Sequence, residues 1–343
     1  MDTDAPITTK STVEHNWPVY GHDWAVEYLR EGIEYNRTRH AYLITGATSI
    51  GKMTLARAFA MTLNCAAEMP VRPCGVCRSC KLLHSGNHPD LLYAETDPNT
   101  GALKIDTIRA LIGRIVMKPY ESRWRIAILE HFDYAQGPAQ DALLKTLEEP
   151  PPQAILILLA TATEKLLPTI VSRSQVIALR PVAAAVIQKV LLTQYAVEEE
   201  QAALLARLSG GRIGWAIAAA QNSTRLDQRN EAIDLLDSIL RMNRSERFAI
   251  ADQLSEDKPA LLQLLELWQT YWRDVLLLVE KSPVKLCNVD RTEVMQDLVK
   301  TISPEEALTA LRATQTLLQN LAYNVNVRLA LEILFLDYPG LTH

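Results

Sequence analysis

The run AYLITGATSIGK at residues 41–52 leads from a short β-rich segment into a glycine-bearing turn, and a helix-compatible stretch follows from Lys52 to Leu63. Inside it, Gly46 to Lys52 has the spacing G-x-x-x-x-G-K. Strand, loop and helix in this order are what a phosphate cradle requires. The glycines let backbone N–H groups turn inward, and the helix N-terminus adds positive potential. The spacing therefore predicts a P-loop fold, with Gly46, Gly51 and Lys52 at the nucleotide end. The residue after the lysine should carry a hydroxyl for magnesium, but Met53 stands there and Thr54 comes one position late. A thioether is a poor ligand for a hard, oxygen-seeking cation. The loop thus reads as a degenerate nucleotide site or as a glycine turn with a surface lysine.

Further β-rich runs recur downstream: DLLYAE (90–95), RIAILE (125–130), AILILLAT (154–161) and QVIALR (175–180), with turn or helix signals between them. That alternation predicts an α/β segment with a parallel sheet. In P-loop ATPases one such strand ends in two acids, the first supporting magnesium and the second orienting the attacking water. Here the pair is Glu130 and His131. A longer carboxylate replaces the usual aspartate, and an imidazole that is largely neutral near pH 7 replaces the second acid. Both departures weaken hydrolysis, and Glu130 also reads as an ordinary solvated strand end.

Four of the five cysteines fall at Cys65, Cys74, Cys77 and Cys80, with Pro73 and Gly75 supplying a turn. Four thiolates at such spacing can surround zinc tetrahedrally. With every position filled by protein, the site is expected to be structural rather than catalytic. The cluster fits a reducing compartment better than a secreted disulfide framework. Cys287 stands alone in an apolar helical region and is expected to be packed.

At 343 residues the chain should hold two or three domains, and its 48% hydrophobic and 22% charged composition is that of a globular protein. A net charge of −5 excludes a broad cationic field for holding nucleic acid, so any such contact must be local or shared. No apolar stretch approaches the ~20 residues of a membrane span. The opening MDTDAPITTK has no apolar core of a signal peptide, which makes a cytoplasmic location the expectation. After Pro181 three short helices are predicted, at 182–195, 198–208 and 213–221, around the Ser209-Gly210-Gly211 break. From about Ser223 a longer helical pattern persists, with breaks near Asn243, Pro259, Pro283 and Pro304. ALLKTLEEPPP (142–152) reads as an amphipathic helix stopped by prolines. TEKLLPTIVSRSQ (163–175) reads as a loop and short helix exposing Ser172 and Arg173, which alone would be a solvated charge.

Taken together, HAYLITGATSIGK, the four-cysteine insertion, HPDL (88–91), ALLKTLEEPP, LLPTIVSRSQ, SGGRIGWA (209–216) and NVNVRLALEILFL (324–336) carry a family resemblance. The chain resembles the clamp-loader branch of the AAA+ ATPases and, within it, the delta-prime type of subunit of bacterial DNA polymerase III. The resemblance covers His40 to about Leu336. It implies an AAA+ nucleotide-fold domain over 1–181 with a zinc module at 65–80, a helical lid over 182–223 and an all-helical collar over 224–343. The collar would join a five-subunit ring with motor (gamma/tau-type) and delta subunits, and the ring would open the sliding clamp and place it on primer-template DNA. Motor subunits keep a full phosphate loop and acidic pair, so Met53, Glu130 and His131 favour the delta-prime type. The lid arginine of motor subunits would fall near Gly214 or Trp215, neither of which can touch phosphate; Arg212 is nearby but is not assigned that role. The resemblance further implies that Arg173 is an arginine finger acting on ATP bound by a neighbour, and that Lys104 and Lys145 approach template phosphates. Two other readings compete. A self-sufficient gamma/tau-like ATPase would bind its own ATP, and a zinc-ribbon nucleic-acid binder is disfavoured by the acidic balance and 6% aromatic content.

Overall fold

The computed structural model of the chain describes residues 16–94, 103–321 and 325–341. The opening MDTDAPITTK, Glu95 of DLLYAE, and Asn324 at the start of the last quoted run lie outside the described residues. Five strands form one parallel sheet: β1 (Ala41–Thr45), β2 (Leu91–Tyr93), β3 (Arg125–Leu129), β4 (Ala154–Ala160) and β5 (Gln175–Ala178). Their order is β2-β3-β4-β1-β5, with Thr45 level with Ala160 and Leu129 level with Leu158. Each of the five predicted runs supplies one strand.

The sheet is covered on both faces, which is why its strands read as near-continuous apolar runs. Alternate residues still part company. Tyr42, Ile44, Ile155, Ile157 and Leu159 pack with one core, alongside Leu55 and Phe59. Leu43, Leu156, Leu158, Ala127 and Leu129 pack with the other, alongside Leu143. Helices α1 (Asp23–Glu34) and α2 (Lys52–Asn64) contribute to the first face. Helix α3 (Arg78–His84) follows in the cysteine-bearing insertion, and α4 (Ile105–Ile115), α5 (Gly137–Glu148) and α6 (Pro168–Arg173) serve the second face. This is the parallel α/β arrangement that the alternating runs led us to expect.

Three helices, α7 (Ala184–Tyr195), α8 (Glu199–Leu208) and α9 (Ile213–Gln221), build their own small core on Ile187, Leu191, Leu205 and Ala216. Beyond them come α10 (Thr224–Arg241), α11 (Arg244–Leu254), α12 (Lys258–Val279), α13 (Thr292–Val299), α14 (Pro304–Asn320) and α15 (Val327–Asp337). These six helices share a core on Trp268, Trp272, Leu265 and Phe335. Asn243 and Ser303 start α11 and α14 as capping boxes with Glu246 and Glu306. Pro259 and Pro304 sit in the first turns of α12 and α14, where a missing N–H costs nothing. Cys287 differs from expectation. It lies in the irregular segment between α12 and α13, half-buried, with its N–H donated to Asp274 and its sulfur beside Arg273. No helix among the described residues is long and apolar enough to cross a membrane.

One buried arginine ties this last bundle together. Arg247 of α11 donates to five carbonyls: Leu240 and Met242 at the end of α10, and Phe335, Tyr338 and Pro339 at the end of α15. Both helix ends have carbonyls without intrahelical partners, and the guanidinium supplies donors to them. Arg247→Met would fill similar space but leave those acceptors unpaired, at a cost of about 2–4 kcal/mol. Calorimetry of the full chain should show the helical bundle melting earlier; an unchanged profile would refute the assignment.

Candidate functional site

The phosphate loop leaves the C-terminal end of β1, beside β4; the chain crosses from β1 to β2 at one edge of the sheet and from β4 to β5 at the other, so the connections diverge here. Open parallel sheets bind ligands at such switch points. Gly46 has φ of 144° and lies so close to the backbone of β5 that an added Cβ would stand 2.8 Å from the Leu179 carbonyl oxygen. Gly51, at φ 112°, is the N-cap of α2. The Lys52 ammonium folds back on the loop, donating to the carbonyls of Gly46 at 2.6 Å and Ala47 at 2.9 Å. Burial pushes its pKa down, while the carboxylates of Asp133, Glu266 and Glu130 pull it back up. Thr54 is exposed at the cleft, and Met53, half-buried, lines it too while packing against the sheet core.

Glu130 and His131 follow β3 and sit at the same cleft, both about half exposed and 3.9 Å apart. The buried acid is a different one. Asp133 accepts hydrogen bonds from the hydroxyl and N–H of Thr161, at the end of β4, and lies 3.8 Å from Lys165. Its second oxygen is buried with no partner. The sequence reading passed over Asp133, although its position three residues past Glu130 was a usable signal.

Two other parts of the chain reach the loop. At the start of α9, the Gly214 N–H donates to the Ser49 carbonyl at 2.8 Å, and a Cβ on Gly214 would stand 2.8 Å from that oxygen. From α12, Glu266 accepts the Thr48 hydroxyl at 2.6 Å. Arg212 donates to the Ser209 carbonyl and lies 4.0 Å from Glu266, lining with Thr48 a neighbouring cavity. Gly214 thus lines the cleft and touches backbone, and Arg212 serves the interface with α12. Nothing local in the sequence could link Thr48 with Glu266, 218 positions away.

The four cysteines converge. Cys65 caps the end of α2, Cys77 is the N-cap of α3 and Cys80 lies within α3, and the four sulfurs all lie within 4.8 Å of one another. Backbone N–H groups of Cys74, Cys77 and Cys80 point at the sulfurs of Cys65, Cys74 and Cys77 at 3.3–3.4 Å. Such donors favour thiolates. Those from Cys77 and Val76 hold the Cys74 thiol down at about 6, whereas burial pushes the Cys80 thiol up. Tetrahedral bonds of ~2.3 Å place sulfurs about 3.8 Å apart, so the cluster fits a metal ion with little adjustment. The set leaves no open position for substrate.

The HPDL stretch fastens this insertion to the sheet. Asp90 is buried and accepts the N–H groups of Tyr120, Glu121 and Ser122 at 2.6–3.0 Å, shaping the turn before β3. His88 accepts the Asp90 N–H on Nδ1, so Nε2 carries the proton, between the hydroxyls of Ser79 on α3 and Ser122.

Arg173 ends α6, partly exposed, and does not line the cleft of Lys52. It donates to the Thr169 carbonyl and pairs with Glu148 at 2.9 Å. Glu148 belongs to the LEEPP segment, so two motifs far apart in sequence meet at this edge. Lys104 is the N-cap of α4 and Lys145 lies exposed in the last turn of α5, on helices that pack together. The structure thus brings Gly46, Gly51, Lys52 and Thr54 together, and separately the four cysteines, and leaves Arg173 on a different edge.

A family model described as "DNA polymerase III, delta subunit" matches residues 21–183. The DNA polymerase III subunit delta' of Bacillus subtilis is 30% identical over 298 residues, covering 86% of each chain. The delta' subunit of Pseudomonas aeruginosa is 37% identical over 134 residues, or 39% of this chain and 41% of its own. Tau of Escherichia coli is 27% identical over 84% of this chain, which spans only 48% of that longer protein. For the tau/gamma subunit of Haemophilus influenzae the matched part is 22% of its length. A solved gamma subunit-related protein from Thermotoga maritima overlays with a TM-score of 0.40 at 17% identity over 91% of this chain and 97% of its own, too loose to carry an argument. By the Bacillus subtilis match, which spans most of both chains, this chain belongs to the delta-prime subunit family of DNA polymerase III.

Proposed function

We propose that the chain, a clamp-loader subunit of DNA polymerase III in DNA replication, is a ring member that does not hydrolyse ATP and completes the active site of a neighbouring gamma/tau-type motor subunit. The observation that carries this reading is the phosphate loop: at the cleft, the thioether of Met53 stands where a hydroxyl would hold magnesium, and His131 stands where a second acid would orient water. Magnesium placement and water activation are both impaired. Similarity to tau and tau/gamma chains favours the alternative of a self-sufficient ATPase. One assay separates the two.

The rest of the reading follows the three regions, an AAA+ domain over 1–181, a lid over 182–223 and a collar over 224–343. Exposed Leu329, Ile333 and Leu336 along α15 support a collar that meets neighbours, with motor and delta subunits as partners. The sliding clamp and primer-template DNA would be engaged through the complex, with Lys104 and Lys145 near template phosphates. The work would be cytoplasmic. The cysteine cluster would hold structural zinc, whose tetrahedral thiolate preference matches the donor set. Arg173 would reach ATP on the neighbour. Its planar, permanently charged head group can spread hydrogen bonds over the transferring oxygens, and it stands away from its own degenerate loop.

Three outcomes are expected. The isolated chain should hydrolyse ATP at background rate; the changes Met53→Thr, Glu130→Asp and His131→Glu together should not restore turnover, since a ring neighbour must still supply an arginine, and clear turnover by the unmodified chain would select the alternative. Elemental analysis should find about one zinc per chain, and chelation should loosen residues 65–88 in hydrogen exchange; full protection without metal would exclude a structural ion. In a reconstituted loader, Arg173→Ala should lower clamp- and DNA-stimulated hydrolysis. Single fingers are worth ~1,000-fold or more at one site, and several working sites dilute the loss. Normal hydrolysis and loading in an intact complex would make Arg173 a surface charge.

A further inference from the structure

We propose that the cavity where the sheet, the three-helix region and the helical bundle meet is a binding site for a diphosphate group, separate from the Lys52 cleft. Whether that cleft holds nucleotide has no bearing on it.

The cavity, about 730 Å³, receives one cation from each of the three regions: Lys165 after β4, Arg212 at the start of α9 and Arg273 of α12. Small-molecule sites are commonly of this size. Among the described residues Glu266 alone supplies a carboxylate to its wall, which leaves an excess of two positive charges there. Like charges gathered in a partly dry space repel one another, and an anion among them relieves that repulsion.

Two of the cations also have unused donors. Arg212 has only 12% of its side chain exposed; its Nε donates to the Ser209 carbonyl at 2.9 Å, while Nη1 is 4.0 Å from Glu266, beyond hydrogen-bond reach. Glu266 meanwhile accepts the Thr48 hydroxyl. Lys165, 20% exposed, stands 3.8 Å from Asp133 and over the Tyr134 ring, and among the described residues its ammonium donates no hydrogen bond. A largely desolvated cation without a directed acceptor is costly, so an acceptor from outside is favoured at both. The acids beside Lys165 and Arg273 do not line the cavity. Asp133 accepts from Thr161, and Asp274 accepts from Cys287, Asn288 and Arg273. Arg273 is therefore partly neutralised, and Lys165 and Arg212 are the pair that holds the ligand.

The excess charge selects the ligand class. A single carboxylate would answer one of the two charges, whereas a diphosphate answers both and is long enough to reach from one cation to another. A guanidinium fork fits phosphate oxygens, and an ammonium meets them as a compact point charge. The amides of Gln269 and Gln315, on the bundle side of the cavity, add neutral donors. An anion held this way would tie the sheet, the three-helix region and the bundle together through one ligand.

The test is titration calorimetry of the full-length chain with inorganic pyrophosphate, unmodified and as Lys52→Ala, which removes the ammonium of the neighbouring loop. Saturable one-site binding is expected in both, with affinities within about twofold, as for independent sites. Lys165→Gln and Arg212→Gln should each weaken it about tenfold, the loss of one charge-assisted hydrogen bond. Arg273→Gln should weaken it less. ADP, titrated into the Lys52→Ala chain, tells the source of the diphosphate: tighter binding than pyrophosphate means a nucleotide, weaker binding a free anion. No saturable binding, or affinity unchanged in Lys165→Gln or Arg212→Gln, would overturn the proposal. So would binding lost in Lys52→Ala, which would put the anion in the phosphate loop. Should Arg212→Gln fold poorly, Lys165→Gln decides alone, because its position is the more exposed of the two.

Discussion

The close approach of β1 to β5 at Gly46 sets the position of everything else at the cleft. β1 is hydrogen-bonded to β4 on one side and β5 on the other, and an added Cβ at Gly46 would collide with the Leu179 carbonyl. That contact fixes where the loop leaves the sheet, and so where α2 begins. Cys65, at the far end of α2, then inherits its place, and with it the cysteine cluster. On the opposite flank, Leu179 leads within a few residues to Val182, whose N–H donates to the Gly211 carbonyl and joins the three-helix region to the strand. A single tight backbone contact thus registers the cysteine-bearing insertion and the first helical region against the same sheet.

How much of this was legible in the sequence depended on how local the cause was. All five strands could be read because burial on both faces makes them short apolar runs, and the helix starts at Asn243 and Ser303 carry their own capping residues. The cysteine cluster was legible because two-residue spacers already bring thiols together. Asp90 was visible only as part of a family string; its role, closing the turn before β3 thirty residues later, is a long-range contact. Glu266 was invisible because its partner lies 218 residues away, and its own helix shows only one more polar residue on an amphipathic surface. Cys287 was misread because the apolar run around it suggested a helix, whereas Pro283 and the Asp274 carboxylate hold an irregular segment there.

Buried charge in this chain is consistently matched by directed donors and acceptors. Arg229 of α10 faces Asn288 and Asp290, with bonds of 2.6–2.9 Å. Asp274 accepts N–H groups from Cys287 and Asn288 and the Asn288 amide. Such groups give little net stability over an apolar core, yet removing one partner is costly, so they act as registry marks between segments. Asp133 breaks the pattern, with one carboxylate oxygen satisfied and one orphaned at the edge of the phosphate cleft.

The contact made by Arg247 has an asymmetric consequence for how this chain tolerates change. Its five acceptors are all main-chain carbonyls, at residues 240, 242, 335, 338 and 339. A carbonyl is the same whatever side chain hangs beside it. The guanidinium is therefore indifferent to side-chain identity along the tail it holds, apart from demands made by the core. At position 247 itself the tolerance vanishes: lysine offers three donors from one point and cannot span five diverging acceptors. Variation should accumulate freely at one end of this contact and scarcely at the other.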